Sequence, residues 1–426
     1  MSTVILLALL LLICLLSVPV CYAIGASSII FLVAEDLTKV LQILPQRIWN
    51  GAFSFTLICM PLFIFAGELM NTGGITRRIF DFCMQILRPI RGGIAEVNVV
   101  DSMLFGGISG SSVADVCATG GIMLPEMERQ GFDPKFAAGL TVATSTMGMI
   151  IPPSIPMIVY SMVSSESIAG LFLAGLLPGL TIGLVQFIFV YTICEKRGYH
   201  GKKVPFEPKK FWKAFWGGLP SLLLPVFIIG SISFGIVTAT ESAAIAVLYA
   251  LFVGACVHRE LTLRHVWQAL KKTLLMSSSI MIIIGFSMCF SYILTLLKVP
   301  AAIGNFFAAS TLPKWVLLLF VDVLLLFLGC FLDVSPCILM LSPVMLPAMK
   351  TLGVSGLQFG VILITGMAIG LCTPPVGMCL NACSKLNKMS IMDIFKGALP
   401  FLMCNVLALL AVTFIPALST WLPSLL

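Results

Sequence analysis

Long apolar stretches recur from one end of this sequence to the other, and they constrain its fold more than any other feature. An apolar stretch of about 20 residues has the length of a helix that crosses a bilayer. Only 10% of the 426 residues are charged, whereas a typical soluble protein has about 25%. We therefore predict an all-α polytopic membrane protein, which excludes a soluble enzyme, a disulfide scaffold and a disordered chain. The predicted crossings lie near residues 4–33, 51–70, 137–161, 170–194, 219–236, 239–257, 274–297, 358–381 and 398–422.

Two further apolar stretches, 94–125 and 315–349, are interrupted near their middle. Because each half is short for a crossing, each stretch is expected to form a re-entrant helical hairpin. The first tip is GGISGSSVAD, residues 106–115, and the second tip contains GCFLDVSP, residues 329–336.

Basic residues predict the orientation of the crossings. The loop 195–216 has seven Lys or Arg against two Glu, and 71–91, 258–272 and 382–397 are also basic. The positive-inside rule assigns all four to the cytoplasm. This requires one hairpin to enter from the cytoplasm and the other from outside. The first apolar run has no preceding Lys or Arg and continues to about Val33, so we expect a retained helix with a cytoplasmic amino terminus and a carboxyl terminus outside.

An internal repeat agrees with this topology. Residues 104–178 align without a gap on 326–400, displaced by 222 positions, with 14 identities that are mostly Gly, Pro and Met. Three crossings plus a hairpin in each copy place the second copy upside down, which is typical of secondary transporters. The expected organisation is an amino-terminal helix and connector (1–50), repeat 1 (51–194), cytoplasmic loops with two linking crossings (195–273) and repeat 2 (274–426).

Each repeat also contains a helix interrupted by Pro-Pro. The first break is TSTMGMIIPPS, residues 144–154, and the second break is GMAIGLCTPPVG, residues 366–377. Proline removes amide donors, so carbonyls near 148–151 and 370–373 are expected to lose their helical partners. Such carbonyls with Ser or Thr hydroxyls suit Na⁺, and the helix N-termini after the breaks suit a carboxylate substrate. The alternative is that Gly and Pro only bend helices and let them pack closely.

Acidic residues within the membrane segments have either functional or capping roles. A bare charge at Asp333 in the second tip would be costly, which implies an ion, a substrate or water. Asp115 is equally compatible with capping the second arm of its hairpin, and Glu241 is expected to cap its helix. The remaining acidic candidates for interfacial or capping positions are Glu68, Asp101 and Asp322.

Enzyme motifs are missing from the sequence. GISGS is not GxSxG, no histidine lies in a membrane segment, and neither HExxH nor a Walker loop occurs. A hydrolase or ATPase is therefore excluded.

The combination of GGISGSSVAD, GMIIPPSIPMIVY, TATESAAIAVLYA and GLCTPPVGMCLNA resembles the large membrane subunit of tripartite ATP-independent periplasmic (TRAP) transporters, possibly of the sialic-acid type. The resemblance covers essentially the whole chain. It implies an inverted-repeat, elevator-type secondary transporter in the bacterial inner membrane. It also implies two partners, a small four-helix membrane subunit and a periplasmic binding protein, and Na⁺-coupled import of a carboxylate such as sialic acid or a C4-dicarboxylate.

The resemblance also implies particular site residues. Two Na⁺ ions are expected, one held by each tip together with the break of its own repeat, and the substrate is expected between them. The first Na⁺ site would comprise Ser109, Ser112, Gly148, Ile151 and Pro153; the second Gly329, Gly370, Thr373 and Val376; and the substrate site Ser112, Ser154 and Asp333. Because the second tip lacks the serine cluster, the two ion sites need not be equivalent. The rival interpretations are a channel or passive pore on the same fold and a scaffold subunit without an ion site.

Overall fold

The computed structural model describes residues 2–16, 18–87, 89–90, 92–199 and 207–425. Arg88, Arg91 and residues 200–206, which contribute to the predicted cytoplasmic loops, lie outside this part. The described part is helical and contains no strand. Within the described residues, six helices are long and apolar enough to cross a membrane, and the bent pair Pro134–Ile150 and Ile155–Ser164 makes a seventh if it is counted as one span. The all-α membrane fold expected from the sequence is thus confirmed.

Repeat 1 begins with a short helix and an amphipathic helix, followed by a hairpin, a broken helix and a long helix. The bounds are Cys59–Thr72, Ile75–Leu87, Gly93–Ser109, Ser112–Arg129, Pro134–Thr144, Met147–Ile150, Ile155–Ser164 and Ile168–Arg197.

Two linking helices follow, Pro208–Ser233 and Ala239–Phe252, the latter extended by a π-helical turn, Val253–Val257. The Glu241 carboxylate accepts a hydrogen bond from the Thr238 amide at 2.7 Å, while the Thr238 hydroxyl accepts one from the Glu241 amide. This capping box confirms the predicted role of Glu241.

Repeat 2 has the same order of elements, and its helix bounds reproduce the sequence displacement. Val334–Thr351 begins and ends 222 positions after Ser112–Arg129, and Gly356 follows Pro134 by the same distance. A short apolar helix, Val299–Ala309, precedes the hairpin in the place of the amphipathic helix of repeat 1. The bounds are Leu263–Leu296, Val299–Ala309, Lys314–Gly329, Val334–Thr351, Gly356–Gly370, Met378–Asn387 and Ile391–Phe414.

The two repeats exchange packing partners. Ser112–Arg129 packs on Met378–Asn387 of repeat 2, and its counterpart Val334–Thr351 packs on Ile155–Ser164 of repeat 1. The long helices Ile168–Arg197 and Ile391–Phe414 pack on each other. These reciprocal contacts around one shared helix pair indicate approximate two-fold symmetry between the repeats.

The single amino-terminal helix expected to continue to Val33 is wrong. The chain forms two helices, Ser2–Leu15 and Val20–Ala34, that pack on each other. Pro19, with ψ of 138°, precedes the second helix, and proline both lacks an amide donor and disfavours helix before it. A cytoplasmic amino terminus requires an odd number of crossings here, and two short helices do not supply one continuous crossing.

A very close helix crossing joins Pro134–Thr144 to Ile391–Phe414. A Cβ atom added at Gly397 would lie 2.0 Å from the Lys135 carbonyl oxygen, and one at Gly139 would lie 2.1 Å from the Gly397 carbonyl carbon. Small residues let membrane helices approach in this way. A Lys135–Asp393 ion pair of 2.7 Å closes one end of the crossing. The first half of the broken helix of repeat 1 is thereby fixed to repeat 2.

We expect Gly397→Ala to destabilise the protein, because its methyl group would overlap backbone atoms that cannot move independently. Overpacking of this kind costs about 1–3 kcal/mol. Thermal unfolding in detergent should show a lower midpoint. Gly230→Ala is the matched control, since a Cβ there meets nothing within 4 Å. Equal midpoints for the two variants would contradict the tight crossing.

Candidate ion and substrate site

The first tip is a sharp turn between two helices. Gly110 has φ of +62°, a left-handed conformation that favours glycine, and its amide donates to the Gly106 carbonyl at 3.1 Å. Ser111 then caps Ser112–Arg129 by accepting from the Ala114 amide at 3.5 Å. The Ser109 hydroxyl donates weakly to the Ser111 carbonyl at 3.4 Å.

The first tip contacts the first break through its backbone. A Cβ added at Gly106 would lie 2.9 Å from the Gly148 Cα, and one at Gly110 would lie 3.0 Å from the Pro153 carbonyl oxygen. A Cβ at Gly148 would in turn lie 3.2 Å from the Ser111 carbonyl oxygen. The structure thus brings together the tip and the break that the sequence assigns to the first ion site.

Side chains satisfy several carbonyls of the first break. The Ser145 hydroxyl donates to the Val142 carbonyl at 2.7 Å, and the Ser154 hydroxyl donates to the Met149 carbonyl. Met149 lies among the residues whose carbonyls were expected to lose their helical partners, and the Ser154 hydroxyl takes the place of the helical amide here. A carbonyl oxygen has two lone pairs, and one hydrogen bond leaves room for a second contact.

The second tip contacts the second break in the same manner. A Cβ added at Gly370 would lie 2.5 Å from the Gly329 Cα. The Thr373 hydroxyl donates to the Gly370 carbonyl at 2.7 Å and lies 2.8 Å from the Cys330 sulfur. The Val376 amide donates to the Cys330 carbonyl at 3.2 Å. Here too a carbonyl that was expected to lose its helical partner, that of Gly370, accepts from a side chain. Both Pro-Pro peptide bonds are cis.

Asp333 is the counterpart of Ser111, and both residues cap the second arm of their hairpin. The Asp333 carboxylate accepts from the Val334 amide at 2.8 Å. This side chain is half-buried, whereas Ser112 and Ser154 are fully buried. No hydrogen bond in the described part of the chain joins Asp333 to either serine. Of the three predicted substrate residues, only Asp333 is accessible in this conformation.

A buried acidic pair lies beside the first tip and was missed as a site from the sequence. The Thr119 hydroxyl is 3.0 Å from an Asp115 oxygen and 3.3 Å from an Asp101 oxygen. Both carboxylates are fully buried. Asp101 lies inside Gly93–Ser109 and caps neither end of it, and Ser111 rather than Asp115 caps the second arm. Asp322 is also buried and accepts from Thr413 at 3.0 Å. The sequence did contain a signal for this pair, because polar residues recur at helical spacing within the apolar arms. They are Asn98, Asp101 and Ser102 in the first arm and Asp115 and Thr119 in the second.

A second polar contact connects the long helices to the first break. The Asn405 amide donates to the Ala143 carbonyl and to the Thr146 hydroxyl, each at 3.0 Å. Gln186 donates to the Asn405 side-chain oxygen and to the same Ala143 carbonyl. All of these side chains are buried. The carbonyl end of Pro134–Thr144 is therefore held by one residue from each repeat.

The first tip has oxygen atoms that fit a Na⁺ ion as ligands. The Ser112 hydroxyl is fully buried and has no hydrogen-bond partner within the described residues. Such an orphaned polar atom is costly unless a ligand or water satisfies it. It adjoins a break rich in carbonyl oxygens, and hard cations prefer oxygen ligands. At the second tip the Thr373 hydroxyl already has protein partners, so carbonyl oxygens would contribute more there.

Comparisons with known proteins agree over nearly the whole chain. Residues 6–418 match the family described as "Tripartite ATP-independent periplasmic transporter, DctM component". The chain is 36% identical over 403 residues to the C4-dicarboxylate TRAP transporter large permease protein DctM of Pseudomonas aeruginosa, covering 93% of this chain and 92% of that protein. It is 35% identical over 407 residues to the sialic acid TRAP transporter large permease protein SiaM of Vibrio cholerae, covering 96% and 95%.

Two solved transporters share the fold. The YdaH transporter of Alcanivorax borkumensis has a TM-score of 0.62 at 16% identity, covering 89% of this chain and 88% of its own. MtrF of Neisseria gonorrhoeae has a TM-score of 0.53 at 14% identity, covering 90% and 84%. At these identities the likeness concerns the fold alone.

We expect the Gln186–Asn405 contact to be energetically coupled. Asn405→Leu removes one hydrogen bond each from the buried Gln186 amide, the Thr146 hydroxyl and the Ala143 carbonyl, which costs about 1–3 kcal/mol. The double variant Gln186→Leu/Asn405→Leu should lose less stability than the two single variants added together. Chemical unfolding in detergent measures this difference. Gln186→Leu combined with Gln358→Leu is the control and should give additive losses, because Gln358 donates to other carbonyls. Additive losses for Gln186 and Asn405 as well would refute the coupling.

Proposed function

The chain belongs to the DctM component family of the tripartite ATP-independent periplasmic transporters, and from this membership we propose that it imports a carboxylate substrate by Na⁺ coupling and an elevator motion. It is a transporter large permease and not an enzyme. The family works with a small membrane subunit and a periplasmic binding protein. We place this chain in the bacterial inner membrane with its carboxyl terminus in the periplasm.

The observation that carries the proposal is the pair of matched junctions between tips and breaks. Each joins a hairpin to a broken helix through a Gly-Gly contact, Gly106 with Gly148 and Gly329 with Gly370. Broken helices in the bilayer are expected only where they line a site or are buried in protein. The buried Ser112 hydroxyl, which has no partner among the described residues, favours an ion site over the alternative that these breaks serve packing only.

We propose two Na⁺ sites with unequal ligands. Ser109, Ser112 and carbonyls of the first break would hold one ion. Carbonyls of the second break with Thr373 and Gly329 would hold the other. The ions would supply positive charge beside the substrate carboxylate. The full proposed ligand sets are Ser109, Ser112, Gly148, Ile151 and Pro153 for the first ion, and Gly329, Gly370, Thr373 and Val376 for the second.

The substrate is proposed to lie between the two tips, next to Ser112, Ser154 and Asp333. The names of the relatives include sialic acid and C4-dicarboxylate transporters, and both substrates are carboxylates. Because two of the three residues are buried here, substrate access requires the tips to separate from this conformation. Sialic acid is the first substrate to test.

In the elevator motion the hairpins and broken helices would move as one body. The linking crossings within 219–257 and the helices that open each repeat would form the scaffold. The Gly-Gly junctions and the exchange of packing partners support this division, because they bind the four irregular segments to one another. A channel on the same fold is the rival proposal, and the transport measurement below distinguishes the two.

We expect substrate accumulation in proteoliposomes that contain this chain with its small membrane subunit and added binding protein. Sialic acid or succinate should reach a higher concentration inside only with an inward Na⁺ gradient. Each net positive charge that enters also adds about 2.3 kcal/mol of driving force per 100 mV of membrane potential. Replacing Na⁺ by choline should abolish accumulation. Accumulation that persists without Na⁺ would refute the coupling, and downhill flux alone would favour the pore.

We expect Ser112→Ala and Thr373→Ala to raise the Na⁺ concentration for half-maximal uptake. Losing one hydrogen-bonding oxygen near a charge costs about 1.5–3 kcal/mol, which corresponds to a shift of roughly tenfold or more. Thr351→Ala is the control, since its hydroxyl bonds only within the end of its own helix. An unchanged Na⁺ dependence in both site variants would refute these ligands.

A further inference from the structure

A cavity of about 310 Å³ opens beside the first arm of the second hairpin, at the end where Lys314–Gly329 begins. Its rim includes Lys314 and Trp315, which are exposed, and its floor includes Gln358 and Thr413, which are buried. One water needs roughly 15 Å³ and a few polar partners. The cavity is therefore large enough and polar enough to hold water that exchanges with the solvent at its rim.

A buried carboxylate lies behind the floor of this cavity. Asp322 is in the middle of Lys314–Gly329 and follows the cavity residue Leu318 by four positions, so both lie on one helix face. One Asp322 oxygen accepts from the Thr413 hydroxyl at 3.0 Å. The other oxygen is buried and has no hydrogen-bond partner among the described residues. Thr413 therefore connects the cavity with a carboxylate that is only partly satisfied.

No cation in the described part of the chain pairs with Asp322. Lys314 precedes it on the same helix by eight residues, or about 12 Å. The Lys314 Nζ lies 3.7 Å from the position that a Cβ on Gly353 would take, which places it at the surface end of the hairpin. Helix Gly356–Gly370, which packs along this arm, contains no titratable side chain. The charge of an ionised Asp322 would therefore be buried without an opposite charge beside it.

The titratable groups of the other two helices that pack on this arm lie at distant positions. On Ile391–Phe414 the nearest is Cys404, nine residues or about 13 Å along the helix from Thr413. The others on these helices and their caps are Asp393, Lys396, Asp333, Cys337 and Lys350. The first two are near the opposite end of their helix, the next two are at the hairpin tip, and Lys350 is in an ion pair with Glu166 at 3.8 Å.

The helix end beside Asp322 disfavours a negative charge there. Ile391–Phe414 ends one residue after Thr413, and the last carbonyls of a helix carry partial negative charge. The Gln358 side-chain amide donates to the Val412 and Thr413 carbonyls at 3.2 and 3.1 Å, which uses both of its hydrogens. It therefore has none left for Asp322. Burying a neutral carboxyl group at this position costs much less than burying a bare carboxylate.

We propose that Asp322 binds one proton, which it exchanges with cavity water through the Thr413 hydroxyl. A hydronium ion would give a proton to the Thr413 oxygen as the Thr413 hydrogen moves to Asp322, leaving a water, an unchanged hydroxyl and a neutral carboxyl group. Asp322 itself does not line the cavity, so a relayed proton is favoured over Na⁺, which needs several oxygen ligands. In the orientation proposed above the proton comes from the periplasm. The site does not depend on Na⁺ coupling or on the substrate.

Infrared difference spectroscopy of the full chain in detergent tests proton binding, because a protonated carboxyl group has a C=O stretching band that a carboxylate lacks. Asp322→Asn keeps the shape of the side chain and should remove the band of one carboxyl group near neutral pH. Asp36→Asn, at an exposed aspartate, should leave the bands unchanged. Equal bands in Asp322→Asn and the unmodified protein would overturn the proposal. Loss of the Asp322 band when Na⁺ replaces choline at constant pH would also overturn it, since a metal ion would then occupy the site.

Deuterium exchange tests the role of Thr413, because the Asp322 band shifts when D₂O replaces H₂O and the acidic proton exchanges. Thr413→Val keeps the shape of the side chain without its hydroxyl and should slow this shift by about tenfold or more. Thr413→Ser retains the hydroxyl and should keep the rate of the unmodified protein. Thr420→Val is the matched control, since the Thr420 hydroxyl donates to the Pro416 carbonyl at the surface. Equal rates in Thr413→Val and Thr420→Val would overturn the proposed exchange route.

Discussion

Backbone polar groups in hydrocarbon must find partners within the protein, and this requirement governs the central part of the structure. Two helices are interrupted in the membrane, and each interruption removes several helical hydrogen bonds. Nearby hydroxyls compensate locally, as Ser154 and Thr373 do for the Met149 and Gly370 carbonyls. Gln186 and Asn405 compensate from a distance at Ala143. The breaks are therefore specified by packing of the whole protein and not by Pro-Pro alone.

The two repeats use one framework with different chemistry. Each tip meets its break through glycine, but the first tip has three serines where the second has a thiol and a carboxylate. The acidic pair Asp101 and Asp115 also has no counterpart, because residues 222 positions later are Val323 and Cys337. A symmetric backbone can thus offer two sites of unequal charge and polarity. Unequal sites are what two ions with distinct roles would require.

Much of the fold is predictable because glycine and proline affect the backbone locally. The hairpins, the breaks, the repeat and the Glu241 cap all follow from patterns read along the sequence. The buried acidic pair does not, since its burial depends on how Ser112–Arg129 packs against Gly93–Ser109. The prediction of one continuous amino-terminal helix was wrong because it relied on the apolar run and gave too little weight to Pro19, which separates two helices. The helices Ile75–Leu87 and Val299–Ala309 were missed because both are too short to register as crossings, and Ile75–Leu87 is also too polar.

The contacts of the structure differ in how much movement they permit. At both junctions backbone meets backbone through glycine, so sliding there would cause overlap. Helix Pro208–Ser233 instead forms its hydrogen bonds with the next linking helix, through Tyr249 and Ser242. Toward the first tip it presents an apolar cavity. Across this seam the described residues form no hydrogen bond that a rigid-body movement would have to break. In the proposed elevator motion, this apolar seam would therefore form the boundary between the moving and the fixed parts.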